Sequence, residues 1–216
     1  MAAVPMKPQY GPTLGRLLAP RWHAASRPAR GAVIAGCTAL VALIIGAGLT
    51  LENPKFSMGG RVPFSFSYRG LYRVAPDPGS YVKVQRRSST GRLEDSFAVW
   101  PLRLPPYSGS LSGELPLYAV GHTTVLAQRD ADFVLRGEGK TRVNTVPAYN
   151  IFYTTLVEGR LMYGRNTLLL PEKSGAREGV ELVMLTSPTA NNQVTSPALV
   201  ASVGILERCV ETFSIG

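Results

Sequence analysis

The side chains with the most chemistry to offer are few and scattered. His122 sits in Ala119-Val120-Gly121-His122-Thr123-Thr124, beside a turn-capable glycine. An imidazole acts as a general base only where folding brings a hydroxyl or carboxylate against it. On local grounds His122 is a surface or locally hydrogen-bonded histidine, and the one candidate for catalysis. Asp130 and Asp132, with Glu138 farther on, offer oxygen donors of the kind a hard cation such as Ca²⁺ takes. Their spacing does not follow the EF-hand loop, and Arg129 and Arg136 supply countercharges. Solvated loop carboxylates are the expected outcome, with no metal.

Arg86-Arg87, followed by Arg92, reads as a strand-end and turn cluster. If an anion is held there, the cluster should form the most electropositive concavity of its domain. Trp100, Tyr107, Tyr118 and Tyr149, with Phe152 and Tyr153, would make a partner or glycan surface if exposed, and otherwise fill the core or close strand ends. Dinucleotide (GxGxxG), P-loop, HExxH, CxxC and GxSxG patterns are all missing, so no cofactor is expected. Cys37 and Cys209 cannot build a disulfide scaffold or a zinc finger, and Cys209 reads as a buried thiol.

The chain that must position these groups has 216 residues, with 23 Lys+Arg against 14 Asp+Glu, for a formal charge of +9. That sum raises the question of nucleic acid, but its distribution answers it. Residues 1–30 hold Lys7, Arg16, Arg21, Arg27 and Arg30 and no acid, which leaves a mildly basic remainder of +4. No nucleic-acid partner is expected.

The run Gly31 to Leu51 carries no charged residue, and at ~1.5 Å per residue a helix of that length spans about 30 Å. It predicts a transmembrane helix over 31–51. The basic flank before it places residues 1–30 in the cytoplasm as a flexible tail, with 52–60 as a juxtamembrane linker and 61–216 as an extracytoplasmic domain. The expected location is a bacterial plasma membrane, with the lipid bilayer as one partner and a membrane or envelope protein as another. Gly31, Ala35, Ala39, Ala42 and Gly46 have the small-residue spacing that lets a second helix approach.

Beyond the run the pattern changes to period two. Val62, Phe64, Phe66 and Tyr68 alternate with more polar neighbours, and Pro63 delays the strand or confines it to an edge. Similar short stretches recur at 71–74, 81–85, 96–100, 115–120, 123–127, 150–156, 160–163, 167–170 and 180–185. Asp132 to Arg136 and Lys140 to Val146 flank Gly137-Glu138-Gly139 as a hairpin. Pro197 to Leu206 reads as either a short helix or an apolar strand, with strand favoured. The expected fold is mainly β, a sandwich or distorted barrel of roughly eight to ten strands. The expected function is a membrane-anchored, non-enzymatic accessory or interaction protein that positions an envelope or membrane-complex partner. The alternative is an anchored cell-envelope enzyme or a glycan- or peptide-binding module.

Overall fold

The computed structural model describes residues 26–51, 53–173 and 175–216, with the side chains of 29–30 and 43–51 outside that description. The chain divides into two units, Met1–Leu49 and Thr50–Gly216. In the first, helix α1 (Arg27–Leu51) begins at the two arginines and takes in the uncharged run. Among the described residues no helix is long and apolar enough to cross a membrane. This corrects the expected transmembrane helix, and with it the single-pass topology, the plasma-membrane location and the bilayer as partner. Gly31, Ala35, Ala39 and Ala42 are exposed on α1. The side-chain position of Gly46 and most of the expected tail, residues 1–25, lie outside the described residues.

Among the described residues the second unit carries ten strands in two antiparallel sheets. The large sheet runs β3 (Arg73–Ala75), β4 (Val82–Arg87), β5 (Leu93–Arg103), β9 (Glu178–Thr186), β8 (Arg160–Leu169), β7 (Val146–Val157), β6 (Val134–Val143). Its edges, β3 and β6, stay open, so the expected sandwich or barrel is corrected to an open seven-stranded sheet. A small sheet, β1 (Lys55–Met58), β2 (Phe64–Ser67) and β10 (Ser214–Ile215), accompanies it. Strand β2 starts immediately after Pro63, where the missing N–H no longer interrupts the ladder.

The sequence segments read as strands over 115–120 and 123–127 instead form one helix, α2 (Leu111–Arg129). Leu115, Ala119 and Leu126 are its buried residues, spaced four and seven apart as one helical stripe. Glu114 in the first turn and Arg129 in the last both suit the helix dipole. Three features hid the helix: Pro116 lies inside it, Gly113 and Gly121 weaken it, and Val120, Thr123, Thr124 and Val125 favour strands.

Two further corrections concern the ends of strands. The hairpin placed at Gly137-Glu138-Gly139 is instead a continuous strand, β6, that absorbs a bulge between Leu135 and Gly137. The chain turns at Asn144, with φ of 54°. Residues 197–206 form a 3₁₀ turn (Pro197–Leu199) and loops, followed by α3 (Glu207–Glu211). Without a period in SPALVASVGIL there was no strand face to bury.

Each face of the large sheet supports its own core. On the α2 side, Leu102, Leu104, Ile151, Tyr153, Leu168 and Leu170 pack with Leu115, Ala119 and Leu126. On the other side, Phe64 and Phe66 of the small sheet pack with Phe97, Met184, Cys209 and Phe213. The Phe66 and Phe97 rings lie 4.8 Å apart. Burial pushes the Cys209 thiol up to about 12, while Cys37 on α1 is exposed. At pH 8 a thiol reagent should therefore modify Cys37 quickly and Cys209 only as denaturant opens the fold. Two fast thiols in the native chain would contradict this packing.

Candidate functional site: a buried polar chain beneath helix α2

Strand β9 reads EGVELVMLT, with Val180, Leu182 and Met184 in the core opposite α2. Period two sends Glu181 to the α2 face, where its side chain is 6% exposed. A carboxylate there needs partners, because an unpaired buried charge costs several kcal/mol. It has two. Asn166 of β8 donates from Nδ2 to Glu181 Oε1, and His122 Nε2 lies 2.8 Å from the same oxygen. Asn166 in turn accepts from the Tyr153 hydroxyl of β7 at 2.9 Å. Tyr153, Asn166, Glu181 and His122 thus form one chain running from the sheet to the helix.

Local packing fixes each member. Gly164 stands opposite Tyr153 in the β7–β8 register, and a Cβ there would meet Tyr153 Cζ at 2.3 Å. The ring of Tyr153 occupies the space that glycine leaves, and the Phe133 ring lies 5.0 Å away. Burial holds the Tyr153 phenol far above its usual range. Tyr118, one turn before His122, stacks on the imidazole at 5.4 Å. Burial and then the Glu181 charge raise the Tyr118 phenol. Both phenols therefore stay neutral near pH 7.

The other candidates fall at the ends of this chain or elsewhere. Trp100 of β5 is Glu181's register partner and is half-buried. The Arg129 guanidinium lies 5.6 Å over its ring and makes two bonds to Asp130, of 2.9 and 3.1 Å. Burial pulls the Arg129 pKa down, but pairing with Asp130 more than offsets this and the net shift is upward. Asp130 is thereby occupied. Asp132 sits at φ of 50° in the turn before β6, and Glu138 is exposed on β6. Among the described residues no group of three or more His, Cys, Asp or Glu side chains could hold a metal. Tyr149 is buried in the α2-side core, and Tyr107 donates from its hydroxyl to the Ala176 carbonyl at 2.9 Å.

Arg86 and Arg87 are likewise engaged. Arg86 reaches Glu94 at 2.6 Å and donates from Nε to Asp95 Oδ2 at 2.8 Å, while Arg87 reaches Glu158 at 2.8 Å. Asp95 is buried and its Oδ1 has no hydrogen-bond partner. Burial pushes its carboxyl above the usual range, and the opposing pull of Arg86 only partly offsets this. The folded state therefore holds this proton at a pH where the unfolded chain has lost it. Unfolding free energy should fall as pH rises from the ordinary carboxylate range through the raised value. Urea titrations from pH 3 to 7 should show that limb, and Asp95→Asn should flatten it. An unchanged slope in the variant would refute the assignment.

Sequence reasoning missed Glu181, Asn166 and Tyr153's role, whereas Arg129, read as a countercharge, does pair with Asp130. It also missed Arg165, buried on the opposite face without a carboxylate and bonded to Asn150, Ser202 and the Val200 carbonyl. A signal was present for Glu181 and Arg165, since each is a lone charge inside an otherwise uncharged stretch of strand.

No family model and no curated protein matches the chain. Solved structures do. LpqN of Mycobacterium tuberculosis, described as involved in cell envelope biogenesis, superposes with a TM-score of 0.51 at 10% identity, over 76% of this chain and 91% of that one. Cyanobacterial PsbP (CyanoP) from Synechocystis sp. PCC 6803 gives 0.47 at 15% identity, over 76% and 93%. The likeness to LpqN is one of fold: a mainly β domain with a helix against an open antiparallel sheet.

Proposed function

We propose that this chain is a non-enzymatic accessory protein of the cell envelope, and that its β-domain engages a partner protein through the outward face of α2. The observation that carries the non-enzymatic reading is the closure of the polar chain. Glu181, the acid an enzyme would place beside His122, is held by Asn166 beneath the helix, and no nucleophilic side chain joins His122 among the described hydrogen bonds. A catalytic dyad needs a reacting atom within reach of both the base and a nucleophile. Here the imidazole fastens α2 to the sheet.

The partner reading is supported by the opposite side of the same helix. Leu117, Val120 and Val125 are 70%, 64% and 54% exposed, and no charged residue lies between Leu115 and Gln128. An uncharged helix face of this kind suits the apolar surface of a protein partner. The envelope setting is taken from the fold likeness to LpqN.

Crosslinking with mass spectrometry in cells at native expression tests the reading, comparing the parent chain with Leu117→Asp/Val125→Asp. The two substitutions lie on solvent, so the unfolding free energy should hold within ~0.5 kcal/mol. A reproducible neighbour should be lost from the variant. A neighbour captured equally by both chains, or none by either, would overturn the assignment.

A further inference from the structure

We infer that the depression between the ends of β5 and β9 and the segment leading into β2 is a binding site for a phosphate-bearing ligand. Its wall holds four cations, Arg61, Arg103, Lys173 and Arg177, against one acid, Glu178. Three arginines elsewhere in the domain are paired with carboxylates: Arg86 with Asp95 and Glu94, Arg87 with Glu158, Arg129 with Asp130. In this depression four cations converge on one acid. Among the described residues the side chains of Arg103 and Lys173 have no hydrogen-bond or ion-pair partner; only their backbones are bonded. Arg177 uses Nε on the Leu104 carbonyl, at 3.2 Å, which leaves its charge uncompensated and its position fixed. Arg61 touches Glu178 at 3.4 Å with its side chain 87% exposed, a pair that solvent screens.

The excess of three positive charges points to a multiply charged anion. A single carboxylate would leave two cations unmatched, whereas phosphate oxygens accept from guanidinium and ammonium groups together. A volume of about 340 Å³ exceeds what one phosphate group fills, and Pro171 adds an apolar patch for the rest of the ligand. The neighbouring depression shares Lys173 but contains Glu172, so the charge excess ends in that direction.

Calorimetric titration of the full chain with pyrophosphate tests this, alongside sedimentation with phosphatidylglycerol vesicles. The two probes separate a free phosphorylated molecule from a lipid headgroup. Arg103→Gln/Lys173→Gln should weaken binding by about tenfold or more, since each cation is lost at short range. Arg92→Gln/Arg208→Gln removes the same net charge outside the depression and should leave binding within about twofold. Equal weakening by both pairs, or no saturable binding of either probe, would overturn the site. Pyrophosphate binding that vesicles neither match nor displace supports a free ligand, and variant-sensitive vesicle binding supports a headgroup. Matching unfolding midpoints for both pairs would exclude misfolding as the cause.

Discussion

Asn166→Leu is expected to lower the unfolding free energy by about 3–5 kcal/mol, the largest single effect in the polar chain beneath α2. The side chain is fully buried and serves two partners, accepting from Tyr153 and donating to Glu181. Leucine preserves volume and removes both bonds. A buried hydroxyl left unpaired costs about 1–3 kcal/mol, and a buried carboxylate more. For a domain of this size the thermal midpoint should drop by roughly 10 °C. His122→Ala should cost less, about 1–3 kcal/mol, because Asn166 still reaches Glu181. Hydrogen exchange should then rise first in α2, the element that His122 fastens to the sheet. An Asn166→Leu effect below 1 kcal/mol would mean that Glu181 and Tyr153 are satisfied by other partners.

The second large effect belongs to a residue with no polar role. Gly164→Ala should destabilise by about 3 kcal/mol, because its Cβ would lie 2.3–2.8 Å from three atoms of the Tyr153 ring. The ring cannot easily yield. It is fully buried, tied to Asn166 at its hydroxyl and packed near Phe133. Shortening it should relieve the clash, so Gly164→Ala/Tyr153→Leu should lose clearly less stability than the two single losses added together. A coupling near zero in this double-mutant cycle would show that the overlap is absorbed elsewhere.

The strands were legible because their signal is local. Val62 to Tyr68 and 81–85 alternate, while 96–100, 150–156 and 180–185 are short runs rich in apolar, aromatic and β-branched residues, and β2, β4, β5, β7 and β9 form within or around those stretches. Alternation states that one face will be buried and the other will not. It does not state against what. Whether ten strands close or stay open depends on pairings between distant segments, such as β5 with β9, across which Trp100 meets Glu181. Helix α2 was illegible for a related reason. Its outward Leu117, Val120 and Val125 are as apolar as its buried Leu115, Ala119 and Leu126, so no polar face marked the helical period.

The candidate site divides in the same way. His122, Tyr118, Trp100 and Asp130 were all picked out by residue type, and the tertiary structure gathers them around α2. Their chemistry was decided by residues they could not be seen to meet. Glu181, 59 positions from His122, meets the imidazole at 2.8 Å. Glu94, Asp95 and Glu158 neutralise the arginine pair that looked most basic, which leaves the open positive concavity at Arg61, Arg103, Lys173 and Arg177. By itself, the sequence determined the β-rich character of residues 61–216, the strand signal around Pro63, and the absence of common catalytic motifs, since each follows from residue type and near-neighbour spacing. Tertiary structure alone decided the open sheet, the helix laid over it, and which charges are free, because those rest on contacts between segments that spacing along the chain does not encode.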